Sequence, residues 1–238
     1  DLSRPRLSIR GRGWLRIAAA MPAPRRSPRR SLALALSAWA AVAAAAAAGA
    51  AATTAAGAPT EPAIAAAPVV VRLVTDLGEI DLEIDVAHAP ATAANFLRYV
   101  DAGRYDGGRF HRTVRADTEV RRDVPIEVVQ AGVAPGQEDL DFPPIALERT
   151  SATGLRHLDG TLSMARAEAD SATSDFFLCL GDQPALDYGG ARQPDGQGFA
   201  AFGRVVAGGD VVRRIQQSPA KGQALEPPVA IRSARRLR

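Results

Sequence analysis

"VVVRLVTDLGEIDLEI", residues 69–84, decides the fold class. Two apolar runs flank the turn signal Asp76-Leu77-Gly78. In the second run Ile80, Leu82 and Ile84 alternate with Glu79, Asp81 and Glu83. A period of two puts the first set on a dry face and the second in water, so the stretch predicts a β-hairpin. The next segment changes period. In "APATAANFLRYVDAG" (89–103), Ala93, Phe96, Leu97 and Val100 recur at helical spacing, with Pro90 near the start and Gly103 near the end. That is an amphipathic helix. Short strands follow, separated by Gly, Pro and Asp: "RFHRTV" (109–114), "IEVVQAG" (126–132), "GTLSMAR" (160–166), "DFFLCLG" (175–181) and "FAAFGRVV" (199–206). A second helix is predicted in "GDVVRRIQQ" (209–217), with Asp210 as N-cap and Pro219 as its stop, and "PPVAIRSARRL" (227–237) returns as a strand. Many short strands with two helices predict a mainly β fold, a closed antiparallel β-barrel capped by two α-helices.

Charge is unevenly distributed along the 238 residues. Residues 1–68 carry nine arginines against Asp1 and Glu61, a net of +7, whereas residues 69–238 carry a net of −4. The domain is mildly acidic, which argues against a phosphate-tracking surface and excludes nucleic acid as the expected partner. The basic end has its own logic. Residues 21–52 show a basic stretch, an apolar run from Leu32 to about Ala48 and small residues suited to cleavage, the layout of a secretory signal peptide. Residues 1–20 precede the first methionine and read as an upstream, non-native segment; residues 53–68 read as an Ala/Pro-rich linker to a domain at 69–238. The apolar run is mostly alanine, so cleavage is expected rather than stable membrane insertion, and the location expected is the periplasm.

Few residues offer covalent or metal chemistry. The single cysteine, Cys179, lies in the apolar run "FFLCLG" and reads as core. Three scattered histidines have no metal-ligand spacing, so neither metal nor other cofactor is expected. "SMARAEADS" lacks a nucleophile elbow, and the glycine-rich "GGARQPDGQG" joins no strand to a phosphate-binding helix. One cation stands out. In "GGRFHRTV" (107–114), strand alternation puts Phe110 and Arg112 on one face and turns His111 to the other.

Five segments in order, "ANFLRYVDAGRYDGGRFHR", "GTLSMARA", "SDFFLCLGD", "LD" at 186–187 and "FAAFGRVVAGGDVVRRI", resemble the cyclophilins, a family of peptidyl-prolyl cis-trans isomerases. The resemblance spans residues 69–238 and implies an eight-stranded antiparallel barrel closed by two helices. It also implies acceleration of X–Pro isomerisation during folding of exported proteins, acting as a monomer on proline-containing segments. The rival from another class is a binding module or chaperone that holds such segments without turnover. By resemblance Arg112 is the catalytic donor, with Phe110 packed behind it, and Gln130 orients the arginine and contacts the substrate carbonyl. Phe177 and Leu186 form the floor and wall of the proline pocket, Val128 lines it, and Ala165 and Arg166 pair their backbone with the peptide.

Departures from the family pattern cluster at the rim. "TVRADTEVRRDVPIEVV" (113–129) is longer than the family spacing, and its charged part, Arg115 to Asp123, is expected to form a surface loop. Glu127 falls where an aromatic is expected, Phe199 where a histidine is, and Ala185 where a large aromatic is. Asp175 replaces a glutamine, which places a carboxylate beside Arg112. His157 is expected to be a loop hydrogen-bonder.

Overall fold

A computed structural model describes residues 69–137 and 140–237. The signal-peptide and linker segments predicted at 21–52 and 53–68 lie outside the described residues. The hairpin forms as read: β1 (Val69–Thr75) pairs antiparallel with β2 (Gly78–Ile84), and Ile80, Leu82 and Ile84 are buried. Gly78 takes φ +131, a conformation that only glycine adopts without strain. The first helix, α1 (Pro90–Asp101), starts on its proline and buries Ala93, Phe96, Leu97 and Val100.

Strands β3 (Arg109–Val114), β4 (Val128–Gly132), β5 (Thr161–Met164), β6 (Phe176–Cys179), β7 (Ala200–Ala207) and β9 (Ala224–Arg236) complete the wall; β8 (Ala220–Lys221) pairs only with β9. The order β1-β2-β7-β5-β6-β4-β3-β9 is closed by β9 pairing back on β1, and every pairing is antiparallel. The predicted eight-stranded barrel is therefore the structure. Two short elements escaped the sequence reading: α2 (Thr150–Thr153) and the β8–β9 hairpin. The last helix, α3 (Gly209–Gln216), is capped by the backbone of Gly208 at φ 80 rather than by Asp210. Asp210 sits inside the first turn, where its charge complements the helix dipole and pairs with Arg214 at 3.3 Å.

Alternation along the wall creates two apolar clusters. Val129 and Ala131 of β4 and Phe176 and Leu178 of β6 face the barrel interior. Val128, Phe177 and Cys179 face the other way and join Val114, Ile126 and Leu186 in a second, smaller cluster. At the interior's centre Phe176 meets Phe96 and Tyr105 edge-on at 5.4 Å and Phe110 at 6.1 Å. Phe176→Ala removes the hub of this packing, and large-to-small core changes of that kind cost about 3–5 kcal/mol. Urea unfolding is expected to show a loss in that range; a change below about 1 kcal/mol contradicts the central position of this ring.

Candidate active site on the outer barrel wall

The strand that carries Arg112 does not alternate. Phe110 pairs with Ala131, but Arg112 pairs with Gln130, so His111 is an extra residue and the register shifts. The register against β9 shifts at the same point, but there the excess lies on β9: Phe110 meets Val229 and Arg112 meets Ala224, so residues 225–228 fall opposite His111. A bulge of one residue reverses the parity of everything after it. Phe110 is consequently fully buried among the interior aromatics, not behind Arg112 at the pocket, which corrects the shared face expected for the two. Arg112 and Val114 emerge on the wall's outer side. His111 does not turn away from the site either, since its Nε2 lies 3.5 Å from Asp175 Oδ2.

The outer cluster floors a cleft of about 480 Å³. Val128, Phe177, Leu186 and Phe199 line it with Ile126, and Arg112, Gln130, Asp175, Ala165, Arg166 and Arg192 complete its wall. Nine of the ten residues assigned to the site from sequence, all but Phe110, thus line one cleft, whereas Glu127 and Ala185 do not. Phe177 is fixed from behind: it stacks on the His157 ring at 6.0 Å and 14°, and meets Phe199 edge-on at 5.4 Å. His157 is buried, with Nδ1 2.7 Å from Asp187 Oδ1 and Nε2 2.9 Å from Ser163 Oγ. It bonds as expected, but under the pocket floor rather than in an open loop. Burial pushes the Asp187 carboxyl up, and the bonds from His157 more than offset this, leaving it below the usual carboxylate range.

Arg112 is gripped by uncharged oxygens. Its Nη1 donates to Gln130 Oε1 at 2.9 Å, and its Nε and Nη2 donate to Gln223 Oε1 at 3.0 and 2.7 Å. Burial and the like charge of Arg192 draw the guanidinium below its ordinary pKa, against the pull of Glu119. The carboxylate of Asp175 is engaged one step along, where its Oδ2 accepts from Gln130 Nε2 at 2.8 Å. That bond decides which way the Gln130 amide faces, presenting its oxygen to the arginine. Asp175 therefore acts through Gln130, in place of the direct Arg112 pair expected from sequence. Gln223 was not singled out at all. Its β8–β9 turn lies 111 residues from Arg112, and no local pattern marks it.

Ala165 and Arg166 do not offer what was expected of them. Strand β5 ends at Met164, and the Ala165 N–H is already bonded to Asp175 O at 2.9 Å, so that donor is not presented to a peptide. The Arg166 side chain is structural: its Nη1 and Nη2 reach Asp195 at 2.8 and 2.9 Å, and its Nε reaches Gly198 O at 2.8 Å. The 115–123 segment is a surface loop, as expected, but one with a buried anchor. Glu119 is buried, accepting from Arg121 N at 2.7 Å, Ile126 N at 3.1 Å and Arg192 Nη1 at 2.9 Å. Arg121 Nη1 donates back to Arg192 O at 2.8 Å. Glu127 faces away and accepts from Gln216 Nε2 at 3.0 Å, so its neighbour Ile126 supplies the apolar wall. Burial alone would raise the Glu119 carboxyl, but its two backbone donors and Arg192 hold it below the ordinary 4.5.

Fold and cleft together define a capped antiparallel barrel with an arginine-rimmed apolar groove on its outer wall. The chain belongs to the cyclophilin-type peptidyl-prolyl cis-trans isomerases: the model of the family described as "Cyclophilin type peptidyl-prolyl cis-trans isomerase/CLD" matches residues 70–236. Over 160 residues it is 40% identical to peptidyl-prolyl cis-trans isomerase A of Dickeya dadantii, covering 66% of this chain and 76% of that protein. Peptidyl-prolyl cis-trans isomerase cyp18 of Streptomyces antibioticus is 36% identical over 175 residues, covering 70% of this chain and 98% of that one. Among solved structures, a Cryptosporidium parvum cyclophilin-type isomerase, determined in the presence of the dipeptide Ala-Pro, superposes with a TM-score of 0.58 at 20% identity. The match covers 71% of this chain and 99% of that one and concerns the fold alone.

The Glu119–Arg192 pair gives a pH test. A carboxyl held below its ordinary value contributes stability that is present above pH 4.5 and is lost as pH falls through its folded pKa. Glu119→Gln leaves the Arg192 charge buried without its partner, a defect of about 3–5 kcal/mol for buried pairs. The variant is expected to be less stable at pH 7, with a flatter fall in stability between about pH 5 and 3, read by denaturant unfolding at a series of pH values. Equal stability at pH 7 contradicts the buried pair.

Proposed function

We propose that this chain catalyses cis-trans isomerisation of X–Pro bonds in segments of exported proteins, with Arg112 as the catalytic residue. The observation that carries the reading is a guanidinium held at an apolar cluster with, among the described residues, only glutamine oxygens accepting its bonds. Amide resonance raises a barrier of about 18–20 kcal/mol to rotation. The twisted transition state has lost conjugation, so the prolyl nitrogen carries a basic lone pair. A fixed donor beside that nitrogen stabilises the twisted state more than the planar one, and the difference appears in rate. Phe177, Leu186 and Val128 take the proline ring, while the Gln130 amide, turned by Asp175, faces both Arg112 and the cleft. No bond is made or broken, so the chemistry asks for neither nucleophile nor metal.

Support for the substrate class comes from the family match and from the related enzyme solved with Ala-Pro. One copy supplies every element of the cleft, so the proposed unit is a monomer. The signal-peptide pattern at 21–52 supports export and a periplasmic site of action. Among the described residues no helix is long and apolar enough to cross a membrane.

Arg112→Ala is expected to lower kcat/KM by at least about tenfold, the loss of one transition-state donor, in a protease-free isomerisation assay of the full chain. Its thermal midpoint is expected to stay close to that of the wild type. A folded variant with undiminished turnover makes Arg112 structural and removes this reading. Secretion in a Gram-negative host tests export: protein found only in the cytoplasm, with residues 21–52 intact, overturns the periplasmic assignment.

A further inference from the structure

The β8–β9 turn delivers a residue whose bonding is unusual for a surface hairpin. Gln223 turns its carbonyl oxygen to the Nε and Nη2 edge of Arg112, and its own backbone oxygen accepts from Thr113 N at 2.9 Å. Arg112 also pairs with Ala224 across the ladder, so backbone and side chain are both registered on the arginine. The tight approach uses Gly222 at φ +60, where a side chain is strained.

The other end of the same amide gives the second observation. Gln223 Nε2 is buried and has no hydrogen-bond partner among the described residues. An unpaired buried donor is costly, but each bond to a charged group contributes at least as much. The two bonds to Arg112 therefore outweigh the orphaned NH2. Turning the amide round is no remedy, because it sets donors against the guanidinium's donors.

The chemical identity of the grip matters as much as its geometry. A carboxylate holds an arginine more tightly than an amide does, but it also cancels the positive potential the arginine projects. Here both gripping atoms, Gln130 Oε1 and Gln223 Oε1, are dipolar and uncharged. They occupy three of the guanidinium's five N–H groups and leave two for the substrate. We infer that Gln223 is a positioning residue for prolyl isomerisation, orienting Arg112 through a neutral oxygen so that its charge stays available at the prolyl nitrogen. The inference rests on the isomerase reading above.

Two substitutions in the full chain separate position from charge, each followed by kcat and KM on a proline peptide, by the side-chain Nε–H NMR signal of Arg112 and by the thermal midpoint. Gln223→Leu keeps the size and removes the acceptor. Its kcat is expected to fall about 10–100-fold, the range for losing a positioning contact, with KM little changed and the Arg112 signal broadened. Gln223→Glu supplies a stronger acceptor. Its Arg112 signal is expected to stay sharp and the midpoint to hold or rise, yet kcat is expected to fall by at least about tenfold. A purely structural role predicts the opposite for that variant, with activity kept. Wild-type kcat in Gln223→Leu overturns the positioning role, and wild-type or higher kcat in Gln223→Glu overturns the part played by neutrality. An inactive wild type overturns the isomerase reading itself, and this inference with it; an active wild type with unaffected variants overturns this inference alone.

Discussion

The extra residue at His111 sets which side of the barrel wall faces the chemistry. With strict alternation Arg112 enters the aromatic interior beside Phe110, where a buried guanidinium without a carboxylate is untenable. The bulge turns it outward, opposite Gln130 and level with Val128 and Phe177. The strand on its other side is irregular at the same point. Between Ala224 and Val229, β9 carries Pro227 and Pro228, which cannot donate to a ladder, and regular pairing with β3 fails there. The same break frees the β8–β9 turn to fold over the arginine and deliver Gln223.

Dividing the apolar residues into two clusters has an energetic consequence. The interior set, centred on Phe96, Tyr105, Phe110 and Phe176, carries most of the burial, so the fold does not depend on the outer set. The outer set is apolar and almost wholly buried, and it floors the cleft. Phe177 illustrates the arrangement: its neighbours on β6 pack inside, while its own ring is held by His157 from beneath and Phe199 from the side. The polar groups Asp187, His157 and Ser163 that brace it are mutually bonded, which keeps the floor rigid without adding polarity to its upper surface.

Much of this was legible in the chain, for stated reasons. The hairpin at 69–84 and the helix at 90–101 follow from single periods that no tertiary contact overrides. Alternation allows only one of Phe176 and Phe177 to face the pocket and the family motif picks Phe177, while Gln130 and Val128 came from the resemblance. Residues after a break in period were not legible. Phe110 was assigned to the pocket because a bulge depends on the partner strand, not on the bulged one. Asp175 was set against Arg112 because resemblance gives a position but not the orientation of the intervening Gln130 amide. Gln223 and Arg192 were missed because their partners lie 111 and 73 residues away. The 115–123 segment reads as a solvated loop from its charges and is largely exposed, yet its Glu119 is the one buried carboxylate among the described residues.

That last segment is not a portable module. Its exposed tip, with Val120 76% accessible, invites exchange or shortening, but its root is defined by an arginine in another loop. Transplanted into a relative without a counterpart of Arg192, Glu119 becomes an unmatched buried anion and Ile126 loses the tether that sets the cleft wall. Deleted from this chain, it leaves Arg192 as an uncompensated cation close to Arg112. Sequence change at either loop is thus constrained by the other, and engineering of this rim has to treat both as one unit of inheritance.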